Sequence, residues 1–157
     1  MNESKILQLV TFKLGDEEFG VDILKVQEIN RMMDITKIPN APQFIEGVIN
    51  LRGKIIPIVD LRKKLGFDNI KGVSEKTTRI IVVELDGLVL GFIVDSVSEV
   101  LRVPENTIEP PPSIVGGVES DYIEGVGKLE NRLLILLELK KLFSSTDRKE
   151  MENFEMN

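Results

Sequence analysis

One motif occurs twice in this chain. Phe44-Ile-Glu-Gly-Val-Ile-Asn-Leu-Arg-Gly-Lys-Ile-Ile-Pro-Ile-Val-Asp-Leu-Arg-Lys63 returns, displaced by 78 residues, as Tyr122-Ile-Glu-Gly-Val-Gly-Lys-Leu-Glu-Asn-Arg-Leu-Leu-Ile-Leu-Leu-Glu-Leu-Lys-Lys141. Ile45, Glu46, Gly47, Val48, Leu51, Leu61 and Lys63 recur unchanged as Ile123, Glu124, Gly125, Val126, Leu129, Leu139 and Lys141. A looser echo links Phe19-Gly-Val21 through Ile29 to Leu90-Gly-Phe92 through Val100, which extends the doubling over most of the chain. Two similar halves imply paired subdomains meeting at a seam. A chain of 157 residues buries roughly 70% of its unfolded surface, enough for two small barrels sharing a boundary without metal or disulfide staples.

The apolar periodicity reads as strands. Ile6 to Leu14, and Phe19 to Ile23 with alternate positions apolar, form a first hairpin around Gly15-Asp16-Glu17. Val26 to Ile29 and Met32 to Ile38 continue the sheet until Pro39 and Pro42 interrupt it. Phe44 to Leu51 and Lys54 to Val59 pair around Arg52-Gly53, where glycine accepts a positive-φ turn position. Pro57 lacks an amide donor and is expected on an edge strand or at a distortion. In the second half, Arg79 to Leu85 and Leu88 to Val94 flank Asp86-Gly87, the strongest two-residue hairpin signal in the chain. Ser96 to Val103, Ile114 to Glu119, Tyr122 to Leu129 and Arg132 to Leu137 complete about ten strands. Leu61 to Leu65 and Leu139 to Phe143 add short helices. Lys71 to Lys76 reads as the connection between halves, and Gly116-Gly117 as a tight reversal. Residues 144–157 are mostly polar and read as a flexible tail, although Met151, Phe154 and Met156 have the spacing of one helical contact.

The composition removes many chemistries. There is no cysteine and no histidine, so thiolate catalysis, serine–histidine pairs and histidine or cysteine metal sites lack their residues. Neither the P-loop nor the three-glycine dinucleotide pattern occurs. A net charge of -6 argues against a broad nucleic-acid surface, which depends on cations meeting phosphates. No stretch approaches the length of a membrane span, so the expected location is cytoplasmic. Carboxylates remain as candidate acids. Glu46 and Glu124 are better read as structural or exposed groups beside turn glycines, and Asp95 as an exposed strand-end carboxylate. A small carboxylate enzyme using these three is the non-binding alternative.

A binding surface accounts better for the remaining features. On a regular strand Val26 and Glu28 face one way, and Gln27 and Ile29 the other. Glu28 therefore reads either as a solvent-facing acid or as a recognition group beside an apolar contact. Arg52 sits at a hairpin tip fixed by Gly53. Its guanidinium serves solubility, joins an internal ion pair, or makes a forked contact with a partner carboxylate. The repeat places Glu130 where the first copy has Arg52, so the two tips have different surroundings and different functions.

At Val26-Gln-Glu-Ile29, Phe44-Ile-Glu-Gly-Val-Ile-Asn-Leu-Arg-Gly53, Lys54-Ile-Ile-Pro-Ile-Val-Asp-Leu-Arg62, Gly91-Phe-Ile-Val-Asp-Ser-Val-Ser-Glu-Val100 and Tyr122 to Leu139, the chain resembles the CheW family of bacterial chemotaxis coupling proteins. The resemblance runs over about residues 5–143. It implies an all-β fold of two five-stranded SH3-like barrel subdomains with short helical connections. Residues 1–157 would form one CheW-like domain of two intertwined halves, approximately 5–70 and 77–143. It further implies a non-enzymatic adaptor, without cofactor or metal, that joins a methyl-accepting chemoreceptor's cytoplasmic tip to the regulatory domain of the CheA histidine kinase at membrane arrays. The alternative within the resemblance is a detached CheA-like regulatory module binding signalling partners. By analogy Val26, Glu28, Ile29, Arg52 and Val97 are the receptor-facing candidates, with Gly47 and Gly53 as structural support. The kinase-binding residues stay unassigned.

Overall fold

The computed structural model describes residues 5–66, 76–115 and 118–155. The first hairpin, Ile6–Leu14 (β1) and Glu17–Asp22 (β2), leads through a 3-10 turn to Val26–Arg31 (β3). The hairpin Ile45–Leu51 (β4) and Lys54–Asp60 (β5) then runs into the helix Leu61–Leu65 (α1). Next come Arg79–Leu85 (β6), Leu88–Val94 (β7) and Ser96–Pro104 (β8). Three two-residue strands follow, Ile108–Glu109 (β9), Ile114–Val115 (β10) and Val118–Glu119 (β11). The chain closes with Ile123–Leu129 (β12), Arg132–Leu137 (β13), a 3-10 turn at Leu139–Leu142 and the helix Ser145–Glu155 (α2). The expected connection at 71–75, the Gly116-Gly117 reversal and Met156 lie outside the described residues.

The strands form one sheet in the order β8-β1-β2-β13-β12-β9, a second in the order β3-β6-β7-β5-β4, and a β10-β11 ribbon. Each main sheet repeats one plan: an edge strand, a hairpin, and a second hairpin whose inner strand runs parallel to the first. The parallel joints are β2 with β13 and β7 with β5. Gly20 faces Leu136 at one joint and Gly91 faces Ile58 at the other; Leu136 is the repeat counterpart of Ile58. The hairpins are exchanged along the chain. The first sheet takes β1-β2 from early residues and β12-β13 from late ones, while the second is built from β3 through β7.

The expectation of two closed barrels is corrected here. Closure requires a hydrogen-bonded ladder between the first and last strands, and both sheets are open. The outer edge of β4 is already occupied: Thr36 and Val48 exchange both backbone hydrogen bonds at 2.9 Å. In the first sheet β9 takes the same edge of β12, opposite Val126 and Gly127, and Val126 is the repeat counterpart of Val48. With those edges used, β3 and β8 cannot complete a cylinder. Among the described residues, two α-helices and several 3-10 turns complete the architecture. Pro57 also departs from expectation, since β5 lies between β4 and β7. Val48 directs its amide and carbonyl to Thr36, so the facing Val48–Pro57 pair needs no hydrogen bond. The ladder to β7 begins only at Ile58.

Among the described residues, buried apolar side chains form a central core drawing on both sheets. Val10, Phe12, Phe19, Val21 and Ile135 come from the first, and Val59, Ile81, Val83, Leu90 and Phe92 from the second. Smaller clusters line the opposite faces, around Ile56, Ile58, Ile80 and Val82 in the second sheet and Leu9, Leu134 and Leu136 in the first. Residues 145–155, polar enough to suggest a tail, are helical, and Met151 is fully buried in the central core. Asp147 reaches Lys64 at 3.8 Å, and Arg148 reaches Asp86 at 3.3 Å.

The two parallel joints differ in tightness. A methyl group on Gly91 would meet Ile58 Cδ1 at 2.7 Å and Ile80 Cγ2 at 2.8 Å, whereas on Gly20 its nearest neighbours lie at 3.6 Å. Urea denaturation is therefore expected to show Gly91→Ala destabilised by about 1–3 kcal/mol, as overpacked cores are, with Gly20→Ala close to the parent. Equal midpoints would contradict the register described here.

Candidate functional site

A β-bulge decides which residues of β3 act together. Its pairing with β6 shifts between Val26 and Glu28: Val26 faces Val83, Glu28 faces Val82, Ile29 faces Ile81 and Asn30 faces Ile80. Directly opposed residues share a face of an antiparallel pair. Val26 and Ile29 thus lie on the face of the central core, and Glu28 and Asn30 on the opposite face, over the Ile80/Val82 cluster. The uninterrupted alternation expected from the sequence, with Val26 beside Glu28, is corrected by this extra residue. Val26 is partly buried against the core, while Ile29 is 41% exposed.

Arg52 occupies the β4-β5 tip in the left-handed region at φ 52°, followed by Gly53 at φ 87°. These are the positive angles that a two-residue hairpin of matching twist requires. The Gly53 amide donates to Asn50 Oδ1 at 2.9 Å. From this tip the guanidinium forks onto Glu28, with Nη1 donating to Oε1 at 3.1 Å and Nη2 to Oε2. Asn30 Nδ2 donates to Glu28 Oε1 at 2.8 Å. The fork joins β3 to the β4-β5 tip, the two ends of the open second sheet, where a barrel would have a backbone ladder. Arg52 remains 70% exposed and Glu28 26%, so this charged pair is open to the surface beside Ile29 on the same strand.

The structure therefore joins Glu28 to Arg52, with Val26 and Ile29 on the reverse face of β3. Val97 lies on β8 in the first sheet, opposite Phe12, and packs against the central core from that side. Val100, also on β8, faces Val10 of β1 and is 50% exposed. It is the repeat counterpart of Ile29, which is a sequence signal for an apolar contact not drawn from the motif. Asn30 and Asn50 were also missed, although Asn50 lies three residues before a turn glycine, a position suited to side-chain capping. Gly47 has a supporting role: at φ 152°, a methyl group there would meet the Thr36 carbonyl oxygen at 2.2 Å. At Gly53 the same methyl would meet nothing within 4 Å, so only its positive φ favours glycine.

The second tip has another arrangement. Glu130 and Asn131 are not among the positive-φ residues, and Arg132 binds Glu18 at 3.1 Å and Glu99 at 2.7 Å. Glu99, the repeat counterpart of Glu28, thus finds its arginine immediately after the tip, two residues past the counterpart of Arg52. Of the candidate acids, Glu46 pairs with Lys63, while Glu124 and Asp22 border a small hollow between Leu7, Leu9, Leu136 and Leu137. Asp95 is buried, contrary to its reading as an exposed strand end. Its Oδ2 accepts the Gly15 amide at 2.7 Å, and Oδ1 lies 3.5 Å from Arg62 Nη1. Among the described residues no group of three acids could hold a metal ion.

The Arg52 fork, followed by the Asn30 bond, holds the Glu28 carboxyl below its ordinary value of 4.5. A carboxyl so depressed contributes stability above its unfolded value, and that contribution is lost as pH falls through the folded value. A carbon-detected NMR titration should find Glu28 titrating below 4.5 and moving upward in Arg52→Ala. An unchanged titration in the variant would show that the fork does not persist in solution.

Residues 8–147 match the family described as CheW-like domain. The chain is 43% identical over 147 residues to the chemotaxis protein CheW of Klebsiella aerogenes, covering 93% of this chain and 87% of that protein. It is 36% identical over 148 residues to the chemotaxis protein CheW of Treponema pallidum, with the same coverage of 93% and 87%. The crystal structure of the scaffolding protein TtCheW from Thermoanaerobacter tengcongensis superposes with a TM-score of 0.82 at 42% identity, covering 92% of each chain. On the strength of this similarity in sequence and in fold, the chain belongs to the CheW-like domain family.

Proposed function

We infer that the protein is a non-enzymatic adaptor that couples chemoreceptor cytoplasmic tips to the regulatory domain of a CheA-type histidine kinase. The observation that carries the receptor assignment is the exposed Arg52–Glu28 fork between a hairpin tip and β3, with Ile29 exposed on the other face of the same edge strand. Arg52 and Glu28 set the orientation of a partner helix through directional charge, because a guanidinium fork matches carboxylate geometry. Val26, Ile29 and Val97 supply apolar contact from the two edge strands. Gly47 and Gly53 support the hairpin that presents Arg52. The whole chain acts as one CheW-like domain of two intertwined halves, approximately 5–70 and 77–143.

The kinase regulatory domain binds a different face. Simultaneous occupation of both lets receptor contact bias the kinase's conformational populations, with no phosphoryl transfer by this chain. The adaptor works in the cytoplasm, recruited to membrane receptor arrays. No helix among the described residues is long and apolar enough to cross a membrane.

Labelled parent and Arg52→Glu protein should be titrated separately against a soluble chemoreceptor cytoplasmic fragment and the kinase regulatory domain, with circular dichroism as a folding control. Receptor affinity should fall about tenfold or more, as when one charge of a hydrogen-bonded interfacial pair is lost, while kinase affinity and folding are kept. Equal receptor affinities would remove Arg52 from the interface. Failure of the parent to bind either partner would overturn the adaptor reading.

A further inference from the structure

Resting on the assignment of Arg52 to the receptor surface, we propose that Asn50 is the positioning residue that makes this tip competent. Arg52 is one of three non-glycine residues with positive φ among those described, with Asn40 and Asp86. A left-handed conformation is unfavourable for a side chain with a Cβ and needs local support. That support is the Asn50 carboxamide, whose oxygen accepts the Gly53 amide at 2.9 Å across the turn. The flanking Leu51–Lys54 pair closes the hairpin below it. A methyl group on Gly53 would meet nothing within 4 Å, so no neighbour packs against the turn from that side.

The second hairpin is an internal control. Lys128 replaces Asn50 and instead pairs with Glu109 at 3.1 Å, Glu130 replaces Arg52, and neither tip residue is left-handed. The acceptor at the first position and the left-handed arginine at the third are present together in one copy and absent together in the other. Asn50 thus acts through Arg52. It holds the turn that directs the guanidinium, and lowers the ordering cost of partner contacts made by the N–H groups that the Glu28 fork leaves over.

A double-mutant cycle separates this role from a general contribution to folding. Binding of the soluble chemoreceptor fragment is measured for the parent, Asn50→Ala, Arg52→Ala and the double variant, with thermal unfolding alongside. Asn50→Ala should weaken binding roughly fivefold, the worth of one net hydrogen bond, and have no further effect once Arg52 is absent. Asn50→Asp, which keeps the acceptor oxygen, should restore most of the affinity. Additive losses, or a neutral Asn50→Ala beside a weakened Arg52→Ala, would overturn the positioning role alone. A neutral Arg52→Ala would overturn the receptor assignment and this proposal together.

Discussion

Neither open sheet can bury its inner face without the other. An open sheet leaves an apolar surface that water penalises at roughly 25 cal/mol per Å². Here Phe12, Phe19 and Ile135 of one sheet close against Val83, Leu90 and Phe92 of the other in a shared core. The chain crosses between sheets at the turn before β3 and again at Asp95 before β8, so each sheet is completed by late and early residues together or by the middle of the chain. Asp95 holds the second crossing by accepting the Gly15 amide and facing Arg62. In the other half Lys140, counterpart of Arg62 in the repeat, reaches Asp86 in the β6-β7 turn at 3.2 Å. A cation after each repeated hairpin thus ties it to a turn of the opposite sheet, directly at Lys140 and through Asp95 at Arg62.

This shared frame explains why a duplicated sequence does not give duplicated sites. The edge strands β3 and β8 carry equivalent residues, Val26 with Val97, Glu28 with Glu99 and Ile29 with Val100. Their acids, however, meet different arginines. Glu28 meets Arg52 on a left-handed tip supported by Asn50, while Glu99 meets Arg132 at the start of β13, in a network with the buried Glu18. The first arrangement leaves the guanidinium largely exposed. The second uses its arginine to tie β2 and β8 to β13.

Local features of the chain were legible because local chemistry determines them. Asp86-Gly87 and Arg52-Gly53 marked their hairpins through the positive φ that the turns require, and the apolar runs bounded by turn signals placed β1, β6, β7 and β13 at their observed bounds. The openness of the sheets was not legible, because it depends on which distant segment takes the outer edge of β4. Thr36 does so from a stretch whose pattern reads as an ordinary strand. The bulge that separates Val26 from Glu28 is likewise a matter of pairing with β6. Asp95 and Met151 are buried by elements remote in sequence, so the strand-end position of one and the polar neighbours of the other gave the opposite impression. At the site, Arg52, Glu28 and the support from Gly53 followed from residue type and motif. The Asn50 bond to the Gly53 amide is local to the turn and had its signal in the spacing to that glycine, whereas the Asn30 contribution shows only once Glu28 and the tip meet.

The central claim is that the polarity of the Glu28–Arg52 pair, beyond its presence, carries recognition. The most direct measurement is receptor-fragment binding by the charge-exchanged variant Glu28→Arg/Arg52→Glu, compared with each single change and with unfolding followed in parallel. The exchanged pair should recover the stability lost by the single variants while receptor binding stays weak. Recovery of binding together with stability would show that the pair serves only as an internal brace, and would contradict the account.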